Sequence, residues 1–580
     1  MTNQRGPAWS SFGAIPSSAS SLLKDLPIIF AGLGLFYGLL SLARYWTGAV
    51  NTSPEIQLHP WALPRYALFS LARLTVAYCI SLLVTLIYAY AAAHNPRAER
   101  ILIPLLDTLQ SIPVLSFLPG VMVSMVALFP TRQLGVELGS ILLIFTGQVW
   151  NMTFSVYSSM KSIPREMQEA ATIYRLSWWQ RFTQLELPYS AIGLVWNSMM
   201  SVAGGWFFLM PCEMFVLGKR DLRLPGLGSY LQTAANAGDT SAILWGVFAM
   251  VLVIVLMDQL IWRPVIAWSE KFKFEQVEAA QTPRSPILSM LRQSRVVSRV
   301  ARAALDPARE GVTQYFARKC VGRPLEKAAA PGRSWGGWLV AAAAGAAVLY
   351  GVVRMFAMLA EIRPAELRQV FTGAGATFLR VELTLVLAAL WTIPVGVYVG
   401  LRPKVAAIVQ PVAQIAASVP ATALFPIVLL MLIQLGGGMG IASIVLLLLG
   451  TQWYLLFNVI AGAMAIPTDL KEVCDVYGFG RVERWRKLLL PGIFTYLLTG
   501  FVTASGGAWN ASIVAEYFHF KKQTIATTGL GATISAATDA GNFPLLLGAT
   551  IVMVAMVVTI NRLLWRPLYT LAQTRYKLEA

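Results

Sequence analysis

Apolar runs of about 20 residues recur along the whole chain, and nothing else restricts its possible folds so severely. At 1.5 Å per residue, a helix of about 20 apolar residues covers the ~30 Å hydrocarbon core of a bilayer. Candidate spans fall at about 27–46, 68–93, 101–130, 136–160, 192–211 and 242–263. A second set falls at about 336–360, 373–400, 405–434, 439–465, 494–514 and 543–566. The third run of each set carries internal prolines, Pro104, Pro113 and Pro119, then Pro411, Pro420 and Pro426. Those helices are predicted to kink or break, which a bundle tolerates where neighbours re-satisfy the backbone. Composition agrees with an embedded chain. Charged residues make up 13% of it and AVILMFWYC 56%, against about 25% charged in an ordinary soluble protein.

The two sets repeat each other at a constant offset. Trp262-Arg263-Pro264 recurs as Trp565-Arg566-Pro567, Gly226-Leu227-Gly228 as Gly529-Leu530-Gly531, and Ile163-Pro164 as Ile466-Pro467, each 303 residues on. Leu187-Pro188 and Leu490-Pro491, and Glu213 and Glu516, share that offset. Upstream the register is 307, pairing Arg73 with Arg380, Pro113 with Pro420 and Pro119 with Pro426. This is a tandem duplication with a small indel. An even number of spans per copy makes the repeats parallel, related by an axis along the membrane normal. The expected fold is an all-α polytopic membrane protein of 12 transmembrane helices, a monomeric pseudo-dimer of two parallel six-helix repeats.

Charge sets the orientation. The net charge of +18 reads as the cytoplasmic bias of Lys and Arg rather than as a nucleic-acid surface. Residues 264–335 hold thirteen Lys or Arg against six Asp or Glu. The domain reading is a cytoplasmic tail over 1–26, a first repeat over 27–263, a basic cytoplasmic linker over 264–335, a second repeat over 336–567 and a cytoplasmic tail over 568–580. Within the linker, the segment from Met290 to Arg302 reads as a basic amphipathic helix that touches anionic lipid. No cleavable leader is expected, because the apolar run after Lys24-Asp25 is long enough to be retained as a first helix.

Several chemistries lack raw material. Cys79, Cys212, Cys320 and Cys474 are dispersed, as are His59, His94 and His519. Neither a zinc site, a disulfide framework nor a nucleophilic triad is indicated. No G-x-x-x-x-G-K-[ST] occurs, so no ATP site of P-loop type is expected here.

Between the fourth and fifth runs lies Ile163-Pro164-Arg165-Glu166-Met167-Gln168-Glu169-Ala170-Ala171, with Tyr174-Arg175 and Leu187-Pro188 beyond. The second copy has Glu472-Val473-Cys474, Tyr477-Gly478 and Leu490-Pro491. This pattern resembles the E-A-A-x-x-x-G-x(9)-I-x-L-P loop of ABC importer permeases, the binding-protein-dependent inner-membrane components. Ser111 to Pro119 and Ser418 to Pro426 are similar to the P-x(5)-P segment of the nitrate, sulfonate and taurine branch. The resemblance covers about 68–264 and 372–567, so two units are fused where the family usually has one that dimerises.

The resemblance implies a type I ABC importer-like transmembrane domain in the bacterial inner membrane, without catalytic residues, cofactor or metal of its own. ATP and magnesium belong to two partner ATPase subunits. A periplasmic substrate-binding protein is compatible with it but not required by it. The ATPase-coupling residues it implies are Glu169, Ala170, Ala171 and Arg175, and Glu472, Val473, Cys474 and Gly478. Arg175 stands where the family has glycine, so the first coupling helix is expected to run past it or turn with strain, and the second to stop near Gly478. Pathway candidates are Trp206, Glu213, Trp509, Asn510 and Glu516. The two glutamates read as structural anchors or as pathway-lining groups, and the two tryptophans as an apolar gate or as packing. Arg73 and Arg380 read as snorkelling groups or as anion attractors. The solute classes implied are nitrate, sulfonate, taurine or bicarbonate. The competing reading is a secondary transporter built from parallel repeats, which would need ionisable groups at mid-membrane.

Overall fold

The computed structural model describes residues 55–272 except 132, 218 and 219, and 335–575 except 435, 437, 521 and 522, with a few isolated positions besides. The expected span at 27–46 and the amphipathic linker helix lie outside the described residues.

The first repeat opens with α1 (Leu63–His94), a continuous helix of 32 residues that starts on Pro64 and ends at Asn95. Asn95 caps the next helix, α2 (Pro96–Ser111), accepting from the Arg97 and Ala98 amides. The chain then turns extended at Ile112 and Pro113, passes a 3-10 turn and resumes as α3 (Leu118–Leu128). The cause is local. A residue before proline is pushed out of the α region, and Ile112 has φ −80° and ψ 127°. The predicted third run is thus two helices joined at the first proline of the P-x(5)-P segment. The second repeat breaks in the same way, between α12 (Pro403–Ser418) and α13 (Ala421–Gln434), with Val419 extended before Pro420.

After α3 come α4 (Leu134–Lys161), the short loop helix α5 (Arg165–Ile173) and α6 (Leu187–Glu213). A two-stranded antiparallel hairpin, β1 (Val216–Leu217) with β2 (Arg220–Asp221), leads to α7 (Leu227–Ala237). The repeat closes with α8 (Thr240–Met257) and α9 (Arg263–Ser269), joined by a π turn. The second repeat runs α10 (Trp335–Leu359), α11 (Pro364–Gly400), α12, α13, α14 (Met439–Ala465), α15 (Thr468–Val476) and α16 (Leu490–Ala515). It ends with the hairpin β3 (Tyr517–Phe520) with β4 (Gln523–Ala526), then α17 (Leu530–Ala540), α18 (Phe543–Ile560) and α19 (Arg566–Arg575). Apart from the two small hairpins the fold is helical, as two parallel repeats require.

Among the described residues, seven helices are long and apolar enough to cross a membrane. The twelve expected spans are therefore not all matched by such helices. Two are the proline-broken pairs. A third, α4, has 28 residues but carries Glu137, Gln148, Asn151 and several hydroxyls. Part of its polar set turns inward: Glu137 and Gln148 are fully buried, and Thr153 bonds Thr85 of α1 at 3.1 Å, whereas Asn151 is exposed.

In each repeat three helices form the centre, α1, α4 and α6, then α11, α14 and α16. The repeats also touch directly. Asn510 on α16 accepts from the Leu115 amide at 3.4 Å, Thr550 on α18 donates to the Ser116 carbonyl at 3.2 Å, and Gln232 on α7 donates to the His519 carbonyl at 3.0 Å. The P-x(5)-P segment of one repeat is thus held by helices of the other.

Candidate functional site

The loop helix α5 follows Pro164, its N-cap residue, whose backbone is still extended at ψ 145°. Glu169 is exposed, Ala170 half-buried and Ala171 buried. In α15 the matching positions are Glu472 exposed, Val473 46% exposed and Cys474 buried. Cys474 therefore packs inward where Ala171 does, and only Val473 enlarges the outer face.

Both loop helices stop identically. The Leu176 amide donates to Ala171 and the Arg175 amide to Thr172, while Phe479 donates to Cys474 and Gly478 to Asp475. This is the Schellman arrangement, which needs a left-handed residue at the turn. Gly478 supplies it at φ 63°, and Arg175 is forced into it at φ 48°. Of the two expected behaviours, the first helix takes the strained turn. Left-handed backbone costs a side-chain-bearing residue roughly 1–2 kcal/mol. Arg175→Gly should therefore slow amide exchange at Leu176 several-fold, and unchanged exchange would mean that the turn stores no strain.

Beyond each loop an exposed apolar rim follows. It is Ile173, Tyr174 and Trp178 in the first repeat, and Val476, Tyr477 and Val482 in the second. Asp475 ion-pairs with Arg484 in the second loop, a bond the first lacks because Thr172 and Arg181 occupy those positions.

At the opposite ends of the helices, Glu213 closes α6 and is fully buried. Its carboxylate accepts from Arg73 Nη1 at 2.7 Å, Ser70 Oγ at 2.6 Å and the Gly228 amide at 2.8 Å. The last bond caps the N-terminus of α7, where helix amides lack partners and favour negative charge. A Cβ on Gly226 would sit 2.2 Å from that carboxylate, so the Gly-Leu-Gly turn is set by close approach. Glu516 repeats the arrangement with Arg380, Thr377 and the Gly531 amide, and a Cβ on Gly529 would lie 2.1 Å from it.

The two arginines differ in their remaining partners. Arg73 is fully buried and forks onto Glu137, Nε to Oε2 at 2.6 Å and Nη2 to Oε1 at 2.7 Å. Arg380 has no such carboxylate, because Gly440 stands at the position of Glu137. Its Nη2 reaches the Thr528 carbonyl at 3.1 Å and Thr527 Oγ1 at 3.4 Å. Neither arginine snorkels: each is turned inward onto the glutamate of its own repeat.

Trp206 and Trp509 are fully buried, and their indole Nε1 atoms find no partner among the described residues. Asn510, next to Trp509 in the chain, sits at the contact between the repeats, on the Leu115 amide. Glu137 was not among the sequence candidates. It is the single acid in the fourth apolar run, and that isolation was the available signal. The hairpins carry a further cluster in the second repeat, where Asp539 accepts from Tyr517 at 2.7 Å and lies 2.8 Å from His519 Nε2. Burial, reinforced by the Asp539 bond, pushes the Tyr517 hydroxyl above the usual phenol range. No group of three metal-ligating side chains occurs among the described residues.

The sequence family described as binding-protein-dependent transport system inner membrane component matches the chain twice, over 81–261 and 392–565. The nitrate import permease protein NrtB of Leptolyngbya laminosa is 28% identical over 146 residues, 25% of this chain and 51% of the relative. The taurine transport system permease protein TauC of Escherichia coli is 29% identical over 165 residues, 28% and 56% respectively. The bicarbonate transport system permease protein CmpB of Synechococcus elongatus is 28% identical over 191 residues, 31% and 66% respectively. The chain thus spans between half and two thirds of the length of these curated relatives.

Proposed function

The chain belongs to the binding-protein-dependent inner-membrane transport component family, and from that premise we propose that it is the membrane-spanning permease of an ATP-binding-cassette importer. It carries both halves of the translocation unit in one polypeptide. It is a transport subunit and not an enzyme. ATP and magnesium are handled by two separate ATPase subunits, one beneath each loop helix.

The observation that carries this reading is the paired loop helix. Two exposed, Schellman-terminated helices, each with a free acid and an apolar rim, occupy equivalent positions 303 residues apart. A groove on each ATPase would receive one of them, and ATP-driven closure of the two ATPases would draw the helices together. The P-x(5)-P breaks, each facing the other repeat, and Asn510 lie along the resulting pathway. The fully buried Trp206, Trp509, Glu213 and Glu516 support it from behind. The relatives are named for nitrate, taurine and bicarbonate, and a small anion of that kind is the proposed solute. A periplasmic binding protein would deliver it to the face bearing the hairpins. Twelve crossings, with both termini and the 264–335 linker in the cytoplasm, complete the proposal.

Affinity purification of the full chain tests the partnership: a P-loop ATPase should co-purify at two copies per chain. Recovery of the chain alone from its native membrane, with ion-driven uptake in vesicles lacking ATP, would favour the secondary transporter instead. Sidedness has its own test. In a background without the four cysteines, a single cysteine at Tyr174 should label only from the cytoplasm and one at Ala540 only from outside, both positions being exposed. Labelling of both from one side would overturn the parallel-repeat topology.

A further inference from the structure

One junction is held by charge in the first repeat and by apolar contact in the second. The end of α1 meets the segment that joins the loop helix α5 to α6. That segment is a short helix, Trp178–Arg181, followed by the π turn Phe182–Glu186. Across the junction His94 Nε2 lies 2.9 Å from Glu186 Oε1, and Arg181 Nε donates to the same oxygen at 2.8 Å. The Glu186 side chain is 2% exposed, and its Oε2 is buried without a partner among the described residues. The carboxylate therefore depends on these two donors. In the second repeat Leu401 replaces His94 and Val397 replaces Tyr90, 307 residues on, and Leu489 replaces Glu186, 303 residues on. All three belong to one apolar cluster, so the same junction closes there on hydrocarbon.

The contacts of His94 specify its protonation. Its Nδ1 lies 3.0 Å from the Tyr90 carbonyl oxygen, and its Nε2 faces the Glu186 carboxylate. Both partners are acceptors, so both ring nitrogens must donate, which only the imidazolium can do. The place suits that charge: His94 is the last residue of α1, and a helix C-terminus favours a cation. The ring stacks on Tyr90 at 4.1 Å between centroids, and Tyr90 meets Phe182 at 5.6 Å and Trp178 at 6.3 Å. Trp178 belongs to the exposed rim beside the first loop helix. The other charged groups of this corner are paired or exposed. Glu99 accepts from Lys161 at 2.8 Å and from Tyr157 at 2.5 Å, and Tyr157 packs in the same apolar cluster as Tyr90 and Phe182. Arg97 and Arg100 are exposed. The His94 side chain is 31% exposed, so protons from the surrounding water reach it.

We propose that His94 is a proton-operated positioning residue for the first loop. As an imidazolium it ties α1, through Glu186, to the entry of α6. Histidine ordinarily changes charge between about pH 5 and pH 8. As the cytoplasmic pH rises through that range, the ring keeps one N–H and can no longer hold Tyr90 and Glu186 together. The charge that faced the buried carboxylate is also gone, and Glu186 is left to Arg181. Motion of α5 then reaches α1 incompletely, while the second loop keeps its apolar junction at every pH. This rests on the permease reading above, in which an ATPase moves α5.

Two measurements test it. In the first, the full chain alone in lipid nanodiscs is followed by amide hydrogen exchange at about pH 6 and about pH 8.5, corrected for intrinsic rates. Protection of the π turn 182–186 should fall several-fold at the higher pH, and protection of its counterpart 485–489 should not. His94→Leu combined with Glu186→Leu, which copies the second repeat, should make the first turn equally indifferent to pH. In the second, the chain reconstituted with its ATPases is assayed for solute moved per ATP hydrolysed. That ratio should fall at least about threefold over the same interval, as the loss of a charge-assisted hydrogen bond allows, and should stay level in the double variant. Equal protection of 182–186 at the two pH values, a wild-type ratio that does not move, or pH dependence that persists in the double variant would each overturn the proposal. If no ATPase acts on the chain, the permease reading fails, and the exchange measurement still decides whether the tie titrates.

Discussion

Replacing Arg73 by methionine should abolish recovery of folded chain, whereas the matched Arg380→Met should only weaken it. Arg73 is fully buried between two carboxylates, Glu137 and Glu213, at 2.6 and 2.7 Å. Removing it leaves both fully buried acids without that counter-charge. Breaking one buried ion pair costs roughly 3–5 kcal/mol, a large share of an ordinary stability of about 5–15 kcal/mol. Arg380 serves Glu516 alone and is itself 10% exposed. Without it, Glu516 still accepts from Thr377 and from the Gly531 and Ala532 amides. The measurement is the monodisperse fraction of detergent-extracted protein and its thermal midpoint. A partial rescue of Arg73→Met by adding Glu137→Gln should follow, because one stranded charge is then removed. Equal behaviour of Arg73→Met and Arg380→Met would show that Glu137 adds nothing to the network.

The second large effect concerns the loop helices. Charge reversal of both Glu169 and Glu472 to arginine should reduce ATP-driven uptake by at least tenfold, with the chain still inserted and extractable. Like charges brought together at an interface cost several kcal/mol, and both side chains are exposed, so the chain's own fold does not depend on them. The single variants should be unequal. The first loop presents half-buried Ala170, and the second presents exposed Val473 and an Asp475–Arg484 ion pair. The two loop surfaces therefore differ in bulk and charge. ATPase retention on the purified chain is the second readout, and it separates detachment from uncoupling. Wild-type uptake in both single variants and in the double variant would remove these helices from the coupling role.

A membrane-embedded helical chain with two parallel copies was legible in the residues alone. Its determinants are local and additive: apolar runs of spanning length, a fixed 303-residue offset, and prolines clustered in the third run of each copy. The three prolines in each third run foretold a break, but not its place: the chain turns extended only before Pro113 and Pro420, while Pro104, Pro119, Pro411 and Pro426 stay inside helices. The span count was less legible, since α4 hides Glu137 and Gln148 from lipid by packing, and hydropathy cannot see which face a residue turns inward.

What only the tertiary structure decided is where each charge goes. Arg73 and Arg380 lie on apolar helices, and sequence distance is silent on the partner 140 or 136 residues away. The fold turns both inward, because a guanidinium inside hydrocarbon is tolerable only against a carboxylate, and it brings Glu213 and Glu516 to meet them. It also decided the fate of Arg175. Local preference disfavours a left-handed arginine, but the chain must reverse between α5 and the next span as it does at Gly478. The surrounding packing imposes the turn at a cost that one residue can bear.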